Sequence, residues 1–81
     1  MVRTAREVLL ELKWREGLDL GRAVVQIVDR NRSEGSRVLP GSEITSLGRR
    51  YFSTAAATIP FYKILRITYA GDVLFERRSP R

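Results

Sequence analysis

Eighty-one residues make one domain with a thin core, and the lack of cysteine and histidine removes disulfides, thiolate metal sites and the commonest neutral-pH base. The formal charge of +6 is uneven: residues 1–29 balance, while residues 30–81 hold ten basic against four acidic side chains. Thirteen of the fifteen basic residues are arginine, whose planar guanidinium grips phosphate with two parallel hydrogen bonds. The charge therefore favours a polyanion such as nucleic acid, although it also serves solubility alone.

Thr4-Ala5-Arg6-Glu7 has the form of a capping box, and Ala5, Val8, Leu9 and Leu12 form one helical stripe. Gly17 is a stop signal, so the helix is expected over residues 4–16. Leu10 and Trp14 lie on its other side, near Arg6 and Lys13. The first explanation is a helix clamped by chain on both sides. The second is an exposed Trp14 beside cations, suited to stacking on a base.

Ala23–Arg30 is β-branched and nearly continuous, which predicts a buried strand. A polar loop over Asn31–Ser36 leads to a short extended piece, Arg37–Leu39, ended by Pro40-Gly41-Ser42. Glu43–Leu47 and Tyr51–Thr54 read as a hairpin across Gly48-Arg49-Arg50, with Ala55–Ala57 a loop tip. Arg50-Tyr51-Phe52 lacks the glycine of an RNA-recognition strand and is expected to be an ordinary exposed strand pair. Pro60 forces Ile59 to be extended, and Phe61–Ile64 is expected to be a tight turn. Leu65–Tyr69 and Val73–Arg77 then pair across Ala70-Gly71-Asp72. A three-residue loop puts Val73 and Phe75 on the face of Ile67, whereas a two-residue loop would put Glu76 there. The fold class expected is α+β, an N-terminal helix packed on a small antiparallel sheet of about five strands. Residues 1–78 are expected to form a single domain, and residues 79–81 a frayed basic tail.

The chemistry-bearing motifs mostly fail. Gly35 and Gly41 do not have the spacing of a phosphate loop, and no Lys-Ser/Thr follows Gly41. Nine carboxylates are scattered without a D-x-D or E-x-x-E pair, so neither an enzyme nor a metal site is expected. No run of 18 apolar residues exists, and Arg3, Arg6 and Glu7 interrupt the apolar core a signal peptide would need. A cytoplasmic protein without membrane contact is therefore expected.

The last quarter, Thr58-Ile59-Pro60-Phe61-Tyr62-Lys63-Ile64, then Ile67 and Gly71-Asp72-Val73-Leu74-Phe75-Glu76-Arg77, resembles the ending of a family of small archaeal proteins. That family shows I-P-x-H-R-I, a gap, then G-x-V-V-W-x-R. Upstream, Val8-Leu9 with Leu12-Lys13-Trp14 is similar to its helix ending in K-W, and Ile27-Val28-Asp29-Arg30 to its first strand ending in D-R. The order agrees from about residue 5 to residue 78. The family's domain is an RNA cyclic group end recognition domain, which in eukaryotes occurs fused to phosphoesterase and RNA-processing modules. The resemblance implies a non-catalytic RNA-end-binding module without a cofactor, with single-stranded RNA ends and RNA-processing proteins as partners. Tyr62 stands where the family has histidine, Lys63 where it has arginine, and Phe75 where it has tryptophan. Tyrosine keeps a ring and a hydrogen-bonding tip but lacks an imidazole's neutral-pH titration.

A cyclic phosphate end offers one negative charge and a terminal base with an open face, so it calls for a guanidinium, a second cation and a ring. Arg30 and Arg77 are the candidate clamp, Lys13 or Lys63 the second cation, and Trp14 or Tyr62 the stacking ring. Arg49 and Arg50 would track the upstream backbone. The alternative is a small protein-interaction module with an apolar patch around Leu10 and Trp14. An RNase or phosphoesterase, which would have to use Tyr62, Lys63 and scattered carboxylates, ranks last.

Overall fold

A computed structural model describes residues 3–77. Arg78 and the basic tail expected at 79–81 lie outside the described residues. Helix α1 spans Ala5–Trp14, and Thr4 caps it with the full box. The Thr4 hydroxyl accepts from the Glu7 amide at 3.1 Å, and the Glu7 carboxylate accepts from the Thr4 amide at 2.8 Å. Such a cap stabilises by about 1 kcal/mol. Ala5, Val8, Leu9 and Leu12 are the buried stripe, as the spacing requires. The helix ends two residues early, because Arg15 turns extended while its amide bonds the Glu11 carbonyl at 2.9 Å. The clamped-helix expectation fails at Trp14, which is 74% exposed; chain covers α1 on its stripe side.

Among the described residues, seven strands form two antiparallel sheets rather than the single sheet of about five. The first contains β1 (Ala23–Val28), β2 (Ser36–Pro40), β6 (Ile64–Tyr69) and β7 (Asp72–Glu76), in the order β2-β1-β6-β7. The second contains β3 (Ile44–Leu47), β4 (Tyr51–Thr54) and β5 (Thr58–Pro60), in the order β3-β4-β5. Strand β1 is buried on one face only, through Ala23, Val25 and Ile27, while Val24 is exposed. Its continuous apolar run suggested burial on both faces. The opposite face is instead exposed at Val24 and half-buried at Gln26 and Val28, because α1 and the second sheet contribute their buried side chains to one shared core. Leu39, Ile64 and Ile67 complete that core from the first sheet, and Phe52 and Ile59 from the second.

Gly41 is where the chain crosses between sheets. A Cβ there would lie 2.0 Å from the Leu20 carbonyl oxygen, so any side chain would push the backbones apart. The return crossing is the 3₁₀ turn Phe61–Lys63, which occupies the place where a tight turn was expected.

The last hairpin reaches the expected register by another route. Ile67 faces Phe75, and Arg66 faces Glu76, as a three-residue loop would demand. Yet Tyr69 pairs with Asp72 across two residues, Ala70 and Gly71, both with positive φ (52° and 86°). That is a tight primed turn matching the strand twist. The missing residue is supplied by a bulge, with Leu74 as the extra member between Val73 and Phe75. Val73 consequently leaves the core face and is 52% exposed. A second bulge makes Leu65 the extra residue between Ile64 and Arg66 where β6 meets β1, and Ile64 takes a place in the core.

Candidate nucleic-acid interface

The surface is organised by the Phe61–Lys63 turn. Pro60 ends β5, and the Phe61 ring packs against buried Phe52 with centroids 5.6 Å apart. The Phe61 amide donates to the Arg50 carbonyl at 3.0 Å, which fastens the turn to the β3–β4 hairpin. From the other side, the Arg77 guanidinium donates to the Tyr62 carbonyl, and the Arg77 amide donates to the Leu65 carbonyl at 2.8 Å. With its neighbour anchored inward, Tyr62 stands outward at 67% exposure. The result is a ridge of Pro60, Tyr62 and Arg77 with a cleft on each side.

The first cleft, about 780 Å³, lies between the end of β1 and β5. Arg30, Lys63, Arg77 and Tyr62 all line it, so the tertiary fold brings together candidates from three separate segments. None of the three cations has a carboxylate partner among the described residues. Asp29 also lines the cleft but is held by its neighbours. Its carboxylate lies 3.3 Å from the Arg37 guanidinium and 3.7 Å from that of Arg32, and it accepts from the Asn31 amide at 3.0 Å. Arg77 has one of its five N–H donors engaged by Tyr62, which holds the guanidinium in place without neutralising it.

The second cleft, about 790 Å³, lies on the other side of the ridge. Its lining includes apolar Phe61, Ile64 and Phe75, with Tyr51 and Tyr62 as exposed rings beside them. Arg49 and Arg50 line this cleft rather than the first, and neither has a carboxylate partner among the described residues. Arg6 also lines it, its Nε donating to the Gly48 carbonyl at 2.7 Å. No carboxylate lines this cleft among the described residues.

Lys13 and Trp14 line neither cleft. The Lys13 ammonium instead sits 5.2 Å from the centre of the Trp14 ring, on the end of α1. Phe75 is partly buried against the core.

Reasoning from the sequence passed over Arg37 and Tyr51. Arg37 is two residues from buried Leu39 on β2 and so shares its inward side, an alternation that could have flagged it. Tyr51 was set aside with the failed RNA-strand motif, yet its pairing with Pro60 puts it at the ridge.

A family model described as the MJ1316 RNA cyclic group end recognition domain matches residues 2–77. The chain belongs to this family. UPF0248 protein MK0350 of Methanopyrus kandleri is similar to it, with 32% identity over 59 residues covering 73% of this chain and 80% of that protein. No solved structure matches. The match confirms the resemblance drawn from the I-P and D-R segments, and both segments line the first cleft. No helix among the described residues is long and apolar enough to cross a membrane.

Proposed function

We propose that this family member is a non-catalytic module that binds single-stranded RNA ends bearing a 2′,3′-cyclic phosphate in the first cleft. The observation that carries this reading is the meeting of Arg30, Lys63 and Arg77, without carboxylate partners among the described residues, beside the exposed Tyr62 ring. A cyclic phosphate is a monoanion with two free oxygens, which suits one forked guanidinium and a second cation. The terminal base then has Tyr62 to stack on, a contact worth about 1–3 kcal/mol. Recognition rather than turnover is supported by the chemistry of the lining. The cleft offers no imidazole, and the Asp29 carboxylate is occupied by Arg32, Arg37 and the Asn31 amide.

The test compares RNAs of one sequence ending in 2′,3′-cyclic phosphate, 3′-phosphate or hydroxyl, titrated at two salt concentrations. Salt dependence measures general backbone attraction, and the difference between ends measures the clamp. The cyclic end is expected to bind about tenfold or more tighter than the hydroxyl end, as charge-assisted hydrogen bonds of roughly 1.5–3 kcal/mol imply. Recovery of intact cyclic ends after incubation is expected. Equal affinity for all three ends would overturn end recognition, and hydrolysed ends would overturn the non-catalytic reading.

A further inference from the structure

We infer that the second cleft takes the base of the penultimate nucleotide, so that the unit recognised is a two-nucleotide RNA end straddling Tyr62. This inference rests on the reading of the first cleft as the site of the terminal phosphate. Three observations carry it. The second cleft is arginine-rimmed and, among the described residues, no carboxylate lines it, so its occupant is anionic. Its lining is also apolar and aromatic, through Phe61, Phe75 and the exposed ring of Tyr51, so the occupant presents a flat apolar face. A nucleotide joins those two properties in one group, because every base has a π-face and every link a phosphate. Finally, Pro60, Tyr62 and Arg77 wall both clefts, so a strand whose end lies in the first passes directly over Tyr62 into the second.

The division of labour follows from the linings. The first cleft mixes Arg30, Lys63 and Asn31 with little ring surface beyond Tyr62, and it suits the phosphate end. The second reads the presence of a base rather than its identity, since aromatic stacking is tolerant of sequence. Arg49 and Arg50 neutralise the phosphate that links upstream.

The experiment uses the full chain and cyclic-phosphate-ended RNA with the base removed, leaving the ribose, at either the penultimate or the third-from-last position. Removal at the penultimate position is expected to weaken binding about 5- to 150-fold. Removal at the third position is expected to change it less than about twofold, because only backbone charge acts there. Tyr51→Ala truncates a ring that is 51% exposed, so thermal melting is expected to stay close to that of the parent. In that variant the penalty for the missing penultimate base shrinks. Equal penalties at the two positions, or none at either, would overturn the inference. If none appears while the cyclic end still outbinds the hydroxyl end, the two-nucleotide unit falls and the end reading stands. If the ends bind equally, both fall. The removed bases leave the protein unaltered, so the outcome does not depend on any variant folding.

Discussion

Two exposed aromatic rings, Trp14 and Tyr62, each stand next to a lysine in the sequence, and they differ in everything the tertiary structure adds. Trp14 projects from the end of α1, and Lys13 sits against its ring. That contact contributes on the order of 0.5–1 kcal/mol at an exposed position, and the pair lines neither cleft. Tyr62 projects from a turn fastened by Arg50, Phe52 and Arg77, and it borders two clefts that gather cations from distant parts of the chain. An aromatic beside a cation is thus a cheap local event. Concavity is what focuses field from several charges onto one ligand. The contrast separates a local adjacency from a candidate site.

The largest effect that can test this contrast is at Phe52. It is fully buried and holds the Phe61 ring beneath the ridge. Phe52→Ala is expected to cost about 3–5 kcal/mol, read by denaturant unfolding. RNA-end affinity of the remaining folded fraction should fall as well. Undiminished affinity there would show that the ridge stands without its anchor. A smaller effect compares the rings directly. Tyr62→Ala should weaken binding of cyclic-ended RNA by about 1–3 kcal/mol, while Trp14→Ala should stay within about 0.5 kcal/mol, both by titration. Equal losses would erase the distinction between the two rings. The smallest effect separates the cations. Arg49→Ala should lower the slope of log affinity against log salt by about 0.7 for a single strand, and Lys13→Ala should leave it unchanged. An altered slope at Lys13 would return the helix end to the binding surface.

Much of the local structure was legible because it depends on near neighbours. Thr4 and Glu7 specify the start of α1 by themselves, since the box closes within one turn. The facing of Ile67 and Phe75 was legible too, because a charged Glu76 on the core side is the costlier alternative. The Ala70-Gly71 turn with its Leu74 bulge was not, because loop length and bulge trade off one residue while leaving the outer register the same. Strand β5 went unseen: Thr58-Ile59-Pro60 is three residues with a proline, tolerated only because β5 is an edge. The division into two sheets was illegible for a related reason. It depends on Gly41 crossing beside Leu20, a contact between segments some twenty residues apart.

The sequence by itself determined the capped helix and its stripe, the facing of Ile67 and Phe75, the arginine-rich second half and the family pattern. Each of these is fixed by residue type and short spacing, where backbone periodicity sets the direction of side chains. Only the tertiary structure decided that Arg30, Lys63 and Arg77 share a cleft with Tyr62, that Arg49 and Arg50 face its neighbour, and that Lys13 and Trp14 stand apart. Convergence of charges from the ends of β1, β5 and β7 is a property of how the strands pair across the core, and no local pattern encodes it.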